Sequence, residues 1–150
     1  MATRTTTRKR RTTTTKSTKT GAKRAKRQAR TRDPIAKLRE ICLALPEVVE
    51  GEAWGEPTFR IKNKIFAMHA SAGSHHGAGR PAVWILSVNI EQDLVLRSRP
   101  DKYFKPPYVG PSGWIGAWLD RNPPWAEITE LLKDGYRRRA PKKLAALVDD

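Results

Sequence analysis

Cys42 is the single cysteine in 150 residues, so no intramolecular disulfide can form. That scarcity fits a reducing, cytoplasmic home. No apolar run approaches the roughly 20 residues that a membrane-spanning helix needs. The N-terminus lacks the apolar stretch of a secretory signal. Its Arg- and Thr-rich, acid-poor composition resembles that of a mitochondrial transit peptide, but such a peptide needs an apolar helical face, and here only alanine is on offer. Catalytic fingerprints are missing too. There is no Ser/His/Asp or Cys/His set, no phosphate-binding loop and no dinucleotide motif. Glu47, Glu50, Glu52 and Glu56 are dense, but acids before a hairpin are commonly solvated. His69, His75 and His76 have no second cysteine to help them hold a metal, since structural zinc needs four ligands at recurrent spacing. The expectation is therefore a non-enzyme with no metal and no cofactor.

Acidic residues are scarcest in residues 1–33, which hold thirteen Lys/Arg against Asp33 alone, a net +12. This arm also has no Leu, Ile, Val, Phe, Trp or Tyr. It cannot bury enough apolar area to offset chain entropy, so disorder in isolation is expected. Residues 34–150 hold seventeen Lys/Arg and fourteen Asp/Glu, a net +3, and carry enough apolar residues for one modest core. The chain thus divides into a cationic arm, 1–33, and one domain, 34–150.

Within the domain, Asp33-Pro34 predicts a helix start, with Ile35, Leu38, Ile41, Cys42 and Leu45 at helical spacing and Pro46 ending it. Cys42 falls on the apolar face and reads as a small core residue. Gly51, Gly55 and Pro57 break the next segment into short pieces. Thr58 to Lys62 alternates with period two, placing Phe59 and Ile61 inward and Thr58, Arg60 and Lys62 outward. Asn63 suits a tight turn, and residues 65–70 run back as a second strand. Residues 71–81 form a Gly- and Ser-rich loop, and 82–88 a third strand. Asn89 caps a helix with Ile90, Leu94 and Val95 buried. Asn122 caps another, with Trp125, Ile128, Leu131 and Leu132 inward and Gly135 loosening or ending it. Pro141 opens a last short helix. The order predicts an α+β domain on an antiparallel sheet.

The segment PPYVGPSGWIGAWLD, residues 106–120, concentrates three prolines, three glycines, two tryptophans and a tyrosine. As a strand, residues 114–119 place Trp114, Gly116 and Trp118 on one face, with room at Gly116 for a backbone or ring to approach. The segment either closes a core or frames a ligand platform. Core packing is favoured, since apolar clusters are mostly core. A platform would use Tyr108 and Trp114, with Trp54 near it.

Together, LPEVVEGEAWGEPTFRIKNKIFA, PPYVGPSGWIGAWLD and ELLKDGYRRRAPKKL, in this order, resemble the MmcQ/YjbR family of small bacterial proteins, usually described as DNA-binding. The similarity covers residues 35–148. It implies an α+β fold with an antiparallel sheet, related in shape to secretion chaperones, and a nucleic-acid mode built on two hairpin wings. Residue 63 is Asn where the family has Gly, and 137–139 are Arg where an apolar run is common. The basic arm lies outside the family pattern.

The expected function is non-catalytic, largely sequence-independent DNA binding on the nucleoid, by a protein expected to be a monomer. DNA is a dense polyanion that a +12 segment binds through phosphates. Arm contacts would come from Arg4, Arg8, Lys9, Arg10, Arg11, Lys23, Arg24, Lys26, Arg27 and Arg30. Domain contacts would come from Arg60, Lys62 and Lys64, joined by Arg80, and from Arg137, Arg138, Arg139, Lys142 and Lys143. Both domain spots could equally be ordinary solvated faces. RNA stays open as a partner, because phosphates alone do not discriminate. The alternative is a chaperone-like module that holds a peptide on its Trp-rich sheet face, tethered to nucleic acid by the arm. A small enzyme acting on a ligand near Trp54, Tyr108 and Trp114 is the weakest reading, since no catalytic set accompanies the rings.

Overall fold

The computed structural model describes residues 34–73 and 79–148. The arm residues named above, the cap expected at Asp33, and His75 and His76 lie outside the described residues. By its contacts the chain divides at Lys37/Leu38, and the second unit, Leu38–Asp150, carries the sheet.

Helix α1 (Pro34–Leu43) buries Leu38 and Cys42. Strands β1 (Val49–Ala53), β2 (Glu56–Ile61), β3 (Lys64–Ala70) and β4 (Ala82–Ile85) follow, then helix α2 (Asn89–Ser98) and the two-residue β5 (Tyr103–Phe104). A 3-10 turn (Gly110–Ser112) precedes β6 (Ile115–Trp118), and α3 (Trp125–Arg139) and α4 (Lys142–Ala146) complete the order. The strands form one six-stranded sheet, ordered β1-β2-β3-β4-β6-β5, with every pairing antiparallel. The fold is α+β, as the sequence predicts.

Two tight hairpins make the first half of the sheet. Trp54 and Gly55 join β1 to β2 with φ of 52° and 78°, and Lys62 and Asn63 join β2 to β3 with φ of 50° and 64°. Positive φ at both central residues is the turn geometry whose twist matches antiparallel strands. Between them the ladder is irregular. Phe59 pairs with Ala67 and Arg60 with Ile65, so Phe66 is left without an opposite residue. This β-bulge changes which way the strand's side chains point. Phe66 turns to the helical side, where its ring meets that of Tyr136 edge-on at 5.8 Å. Ile65 and Arg60 stay on the other face.

On the helical side, Phe59, Ile61, Phe66, Ile85, Ile115, Ile128, Leu132 and Tyr136 are fully buried. The Tyr136 hydroxyl donates to the Pro46 carbonyl at 2.7 Å, tying α3 to the end of the α1 segment. The opposite face holds a second apolar cluster of Met68, Ala70, Trp84 and Trp114, flanked by Ile65, Leu86, Phe104 and Val109.

Several local expectations are corrected. Ile90 and Leu94 are exposed, and the residue α2 buries is Gln92. Its Nε2 donates to the carbonyls of Gly110 and Trp114 at 2.8 and 2.6 Å, so the helix turns its polar side inward to serve backbone acceptors. Asn89 is the first helical residue rather than the cap, which is Val88. Pro124, not Asn122, precedes the first residue of α3, Trp125; Asn122 lies two residues further back in a left-handed turn at φ 49°. Trp125 is only half-buried. The same helix runs through Gly135, which lies against the Leu86 carbonyl where a side chain would crowd it. The third strand ends at Ile85, and β1 and β5, which no alternating pattern announces, are additions. Thr58, expected outward, is fully buried because the Arg60 side chain folds back over it, Nε donating to Oγ1 at 3.1 Å.

Candidate functional site

The proline- and glycine-rich segment is mostly framework. Pro106 is fully buried. Gly113 has φ 103°, and a Cβ there would stand 2.6 Å from the Val88 carbonyl carbon. Gly116 accommodates the Phe104 ring, which would meet a Cβ at 2.4 Å. The approaching ring that the Trp-Ile-Gly-Ala-Trp spacing predicts is therefore Phe104, which also stacks on Trp118 at 4.0 Å. Tyr108 departs from this pattern, being 74% exposed with φ 67°.

Tyr108 stands at a groove of about 870 Å³ on the face opposite the helices. Trp84 and Trp114, 3% and 9% exposed, and Met68 form its floor. Trp54 reaches it from the β1–β2 turn, 73% exposed. Two bulky residues with left-handed backbone therefore line the same groove, a conformation that costs about 1–2 kcal/mol each for a residue with a Cβ. Arg60 and Lys64 line it from the β2–β3 hairpin, and Arg139 from the last turn of α3. Arg60 is oriented by Thr58 and by the Glu52 carbonyl at 3.3 Å, and Arg139 by the Ile65 carbonyl at 3.2 Å. Among the described residues no carboxylate lines this groove.

The structure thus brings together Arg60, Lys64, Arg139, Trp54, Tyr108 and Trp114 from three separate stretches of sequence. Other candidates are placed elsewhere. Lys62 pairs with Glu47 at 2.8 Å. Arg80 does not join the hairpin cluster. Its guanidinium forms two 2.8 Å hydrogen bonds with Asp120 and covers the Trp118 ring at 4.3 Å. That pairing holds the Asp120 carboxyl below its ordinary range and raises Arg80. Arg137 binds Asp134 at 2.9 Å and the Val148 carbonyl at 2.7 Å, tying the segment that follows α4 to α3. Arg138, Lys142 and Lys143 are exposed outside the groove lining. The roles of Trp84 and Met68 were missed. The signal available was alternation, which sets Trp84 opposite Val83 and Ile85.

Glu56 is also corrected. Rather than solvated, it is 3% exposed. Its carboxylate accepts hydrogen bonds from the Ser71 amide at 2.8 Å and hydroxyl at 2.7 Å, and faces His69 Nδ1 at 3.3 Å. Burial raises its pKa, but the hydrogen bonds from Ser71 and His69 outweigh burial and hold it low. The carboxylate sits between Ser71 and His69 and ties the start of β2 to the end of β3. Burial, with Glu50 adding to it, pushes the Cys42 thiol far up, consistent with a packing role.

A second groove, of about 640 Å³, lies between α2 and α3. It is lined by Glu91, Glu127, Glu130 and Asp134 and by Arg99, which pairs with Glu127, with Leu94, Val95 and Leu131 as its apolar part. Tyr103 donates to Glu127 at 2.7 Å. Among the described residues no group of His, Cys, Asp and Glu is arranged to hold a metal ion, and no helix is long and apolar enough to cross a membrane.

Comparison with known proteins bears on the fold. The crystal structure of the Deinococcus radiodurans protein DR2400, containing the domain DUF419, is similar with a TM-score of 0.59. Sequence identity is 16%, over 74% of this chain and 84% of that one. No curated protein matches. The YjbR family model matches residues 43–138, from the end of α1 to the last turn of α3, and so covers every strand and nearly all of the cationic groove, Arg139 lying one residue beyond it. The chain belongs to the YjbR family.

Proposed function

We propose that this protein binds nucleic acid without catalysis, largely through phosphates, using the basic arm for affinity and the cationic groove for orientation. The supporting observation is the convergence of Arg60 and Lys64 with Arg139 at one groove that no carboxylate lines among the described residues. Two cations from one hairpin and a third from the end of α3 raise the local concentration of a polyanion. The arm adds thirteen Lys/Arg, each able to displace a condensed counterion. DNA is the expected partner, on the nucleoid.

Fluorescence anisotropy of the full chain with DNA, over a salt series, tests this. Substituting Arg60, Lys64 and Arg139 by Ala weakens binding and reduces the salt slope by about 1 for each phosphate no longer neutralised. An unchanged slope would remove the groove from the interface. A protein partner that stays bound through nuclease treatment and high salt would favour the peptide-holding alternative.

A further inference from the structure

We infer that the cationic groove takes unpaired bases, so that the domain engages single-stranded nucleic acid through ring stacking as well as through phosphates. The inference rests on the nucleic-acid reading above and specifies the ligand of that same groove. Phosphate attraction alone requires only cations at a surface. This groove has more. Trp54 and Tyr108 are held outward on left-handed turn residues, while Trp84 and Trp114 lie beneath them. Such rings have little to offer a duplex, whose base faces are covered by their neighbours. They match an unstacked base, which every nucleotide can present regardless of sequence.

Size and chemistry agree. A volume of about 870 Å³ falls within the usual range for ligand pockets, about 300–1,000 Å³. Arg60, Lys64 and Arg139 are donors placed for phosphate oxygens, and an arginine plane can itself stack on a base. An acidic peptide is the competing occupant. It would satisfy the cations, but its backbone N–H groups need acceptors, and the lining side chains supply only Asn63 and the Tyr108 hydroxyl. A base with its phosphate carries a flat apolar face and a negative charge, the two features this lining answers.

The test uses the full chain, because the arm is identical in both variants and its contribution cancels when they are compared on the same probe. Trp54 and Tyr108 are replaced together by Asn, which removes both rings yet tolerates positive φ. Thermal melting checks that the fold is kept. Anisotropy is measured with a labelled oligothymidylate and with a labelled duplex of equal length. The expected result is about tenfold weaker binding of the oligothymidylate and no change for the duplex. An equal loss on both probes, or no loss on either, overturns the stacking inference and leaves phosphate binding standing. Wild-type protein that binds neither probe overturns the nucleic-acid function and the inference with it. Labelled polyglutamate that binds with the same ring dependence makes the groove a peptide site and overturns the inference.

Discussion

The two grooves of this domain are opposites built on one frame. The first, on the open sheet face, gathers Arg60, Lys64 and Arg139 around tryptophan and tyrosine rings. The second, between α2 and α3, gathers Glu91, Glu127, Glu130 and Asp134, with Arg99 paired to Glu127, around Leu94, Val95, Leu131 and Tyr103. A net charge of +3 over residues 34–150 conceals this separation. On the proposed function, a polyanion would meet cations unopposed among the described residues at the first groove, whereas at the second Glu127, Glu130 and Asp134 are each paired with a cation, Arg99, Lys133 and Arg137. The grooves also differ in construction. The cationic one is framed by tight turns and positive-φ residues, whereas the acidic one lies between exposed helix surfaces.

That difference in construction predicts unequal tolerance to substitution. The largest effect is expected at Gly113, which frames the cationic groove. Gly113→Ala combines a left-handed φ with a clash against the Val88 backbone and should cost about 3 kcal/mol or more in urea unfolding. Gln92→Leu leaves the buried Gly110 and Trp114 carbonyls without their donor. About 2 kcal/mol of destabilisation is expected by the same measurement, with weaker oligonucleotide binding as Trp114 shifts.

One buried carboxylate should also give a pH-dependent signature. Glu56 is held low by Ser71 and His69, so its stabilisation is complete above the ordinary Glu pKa of about 4.3 and is lost as pH falls through the lower folded value. Glu56→Gln should therefore cost about 1.5 kcal/mol at pH 7, and the gap to wild type should close on acidification. Thermal melting across that range checks the sign. The smallest effect is expected beside the acidic groove. Ile90→Ala and Leu94→Ala alter side chains 73% and 57% exposed and should stay within about 0.5 kcal/mol of wild type. A large loss there would mean that this surface is covered in solution.

The sequence made some of this legible and hid the rest for physical reasons. Turn chemistry located the β2–β3 hairpin at Asn63, and spacing located the close approach at Gly116, because both signals are local. Strand β1 was hidden because Val-Glu-Gly-Glu-Ala is an edge strand exposed along most of its length and shows no apolar alternation. Gln92 was hidden because helical periodicity ranks residues by hydropathy. What decides its burial is a pair of carbonyls eighteen and twenty-two residues away. The basic residues were visible, but their sorting was not. Arg137 and Arg139 are two positions apart, yet one holds Val148 beyond α4 and the other reaches Ile65 on β3. The bulge at Phe59/Arg60, which sets the faces of Ile65 and Phe66, left no mark in the pattern of residues.

The most direct measurement uses the five tryptophans as reporters. Their indole N–H signals can be followed by NMR as an oligothymidylate is titrated into the full chain. The indoles of Trp54, Trp84 and Trp114 should shift, while those of Trp118, stacked under Phe104, and Trp125, at the start of α3, stay in place. Binding that shifts Trp125 and leaves Trp54, Trp84 and Trp114 unmoved would contradict the assignment of the cationic groove as the interface.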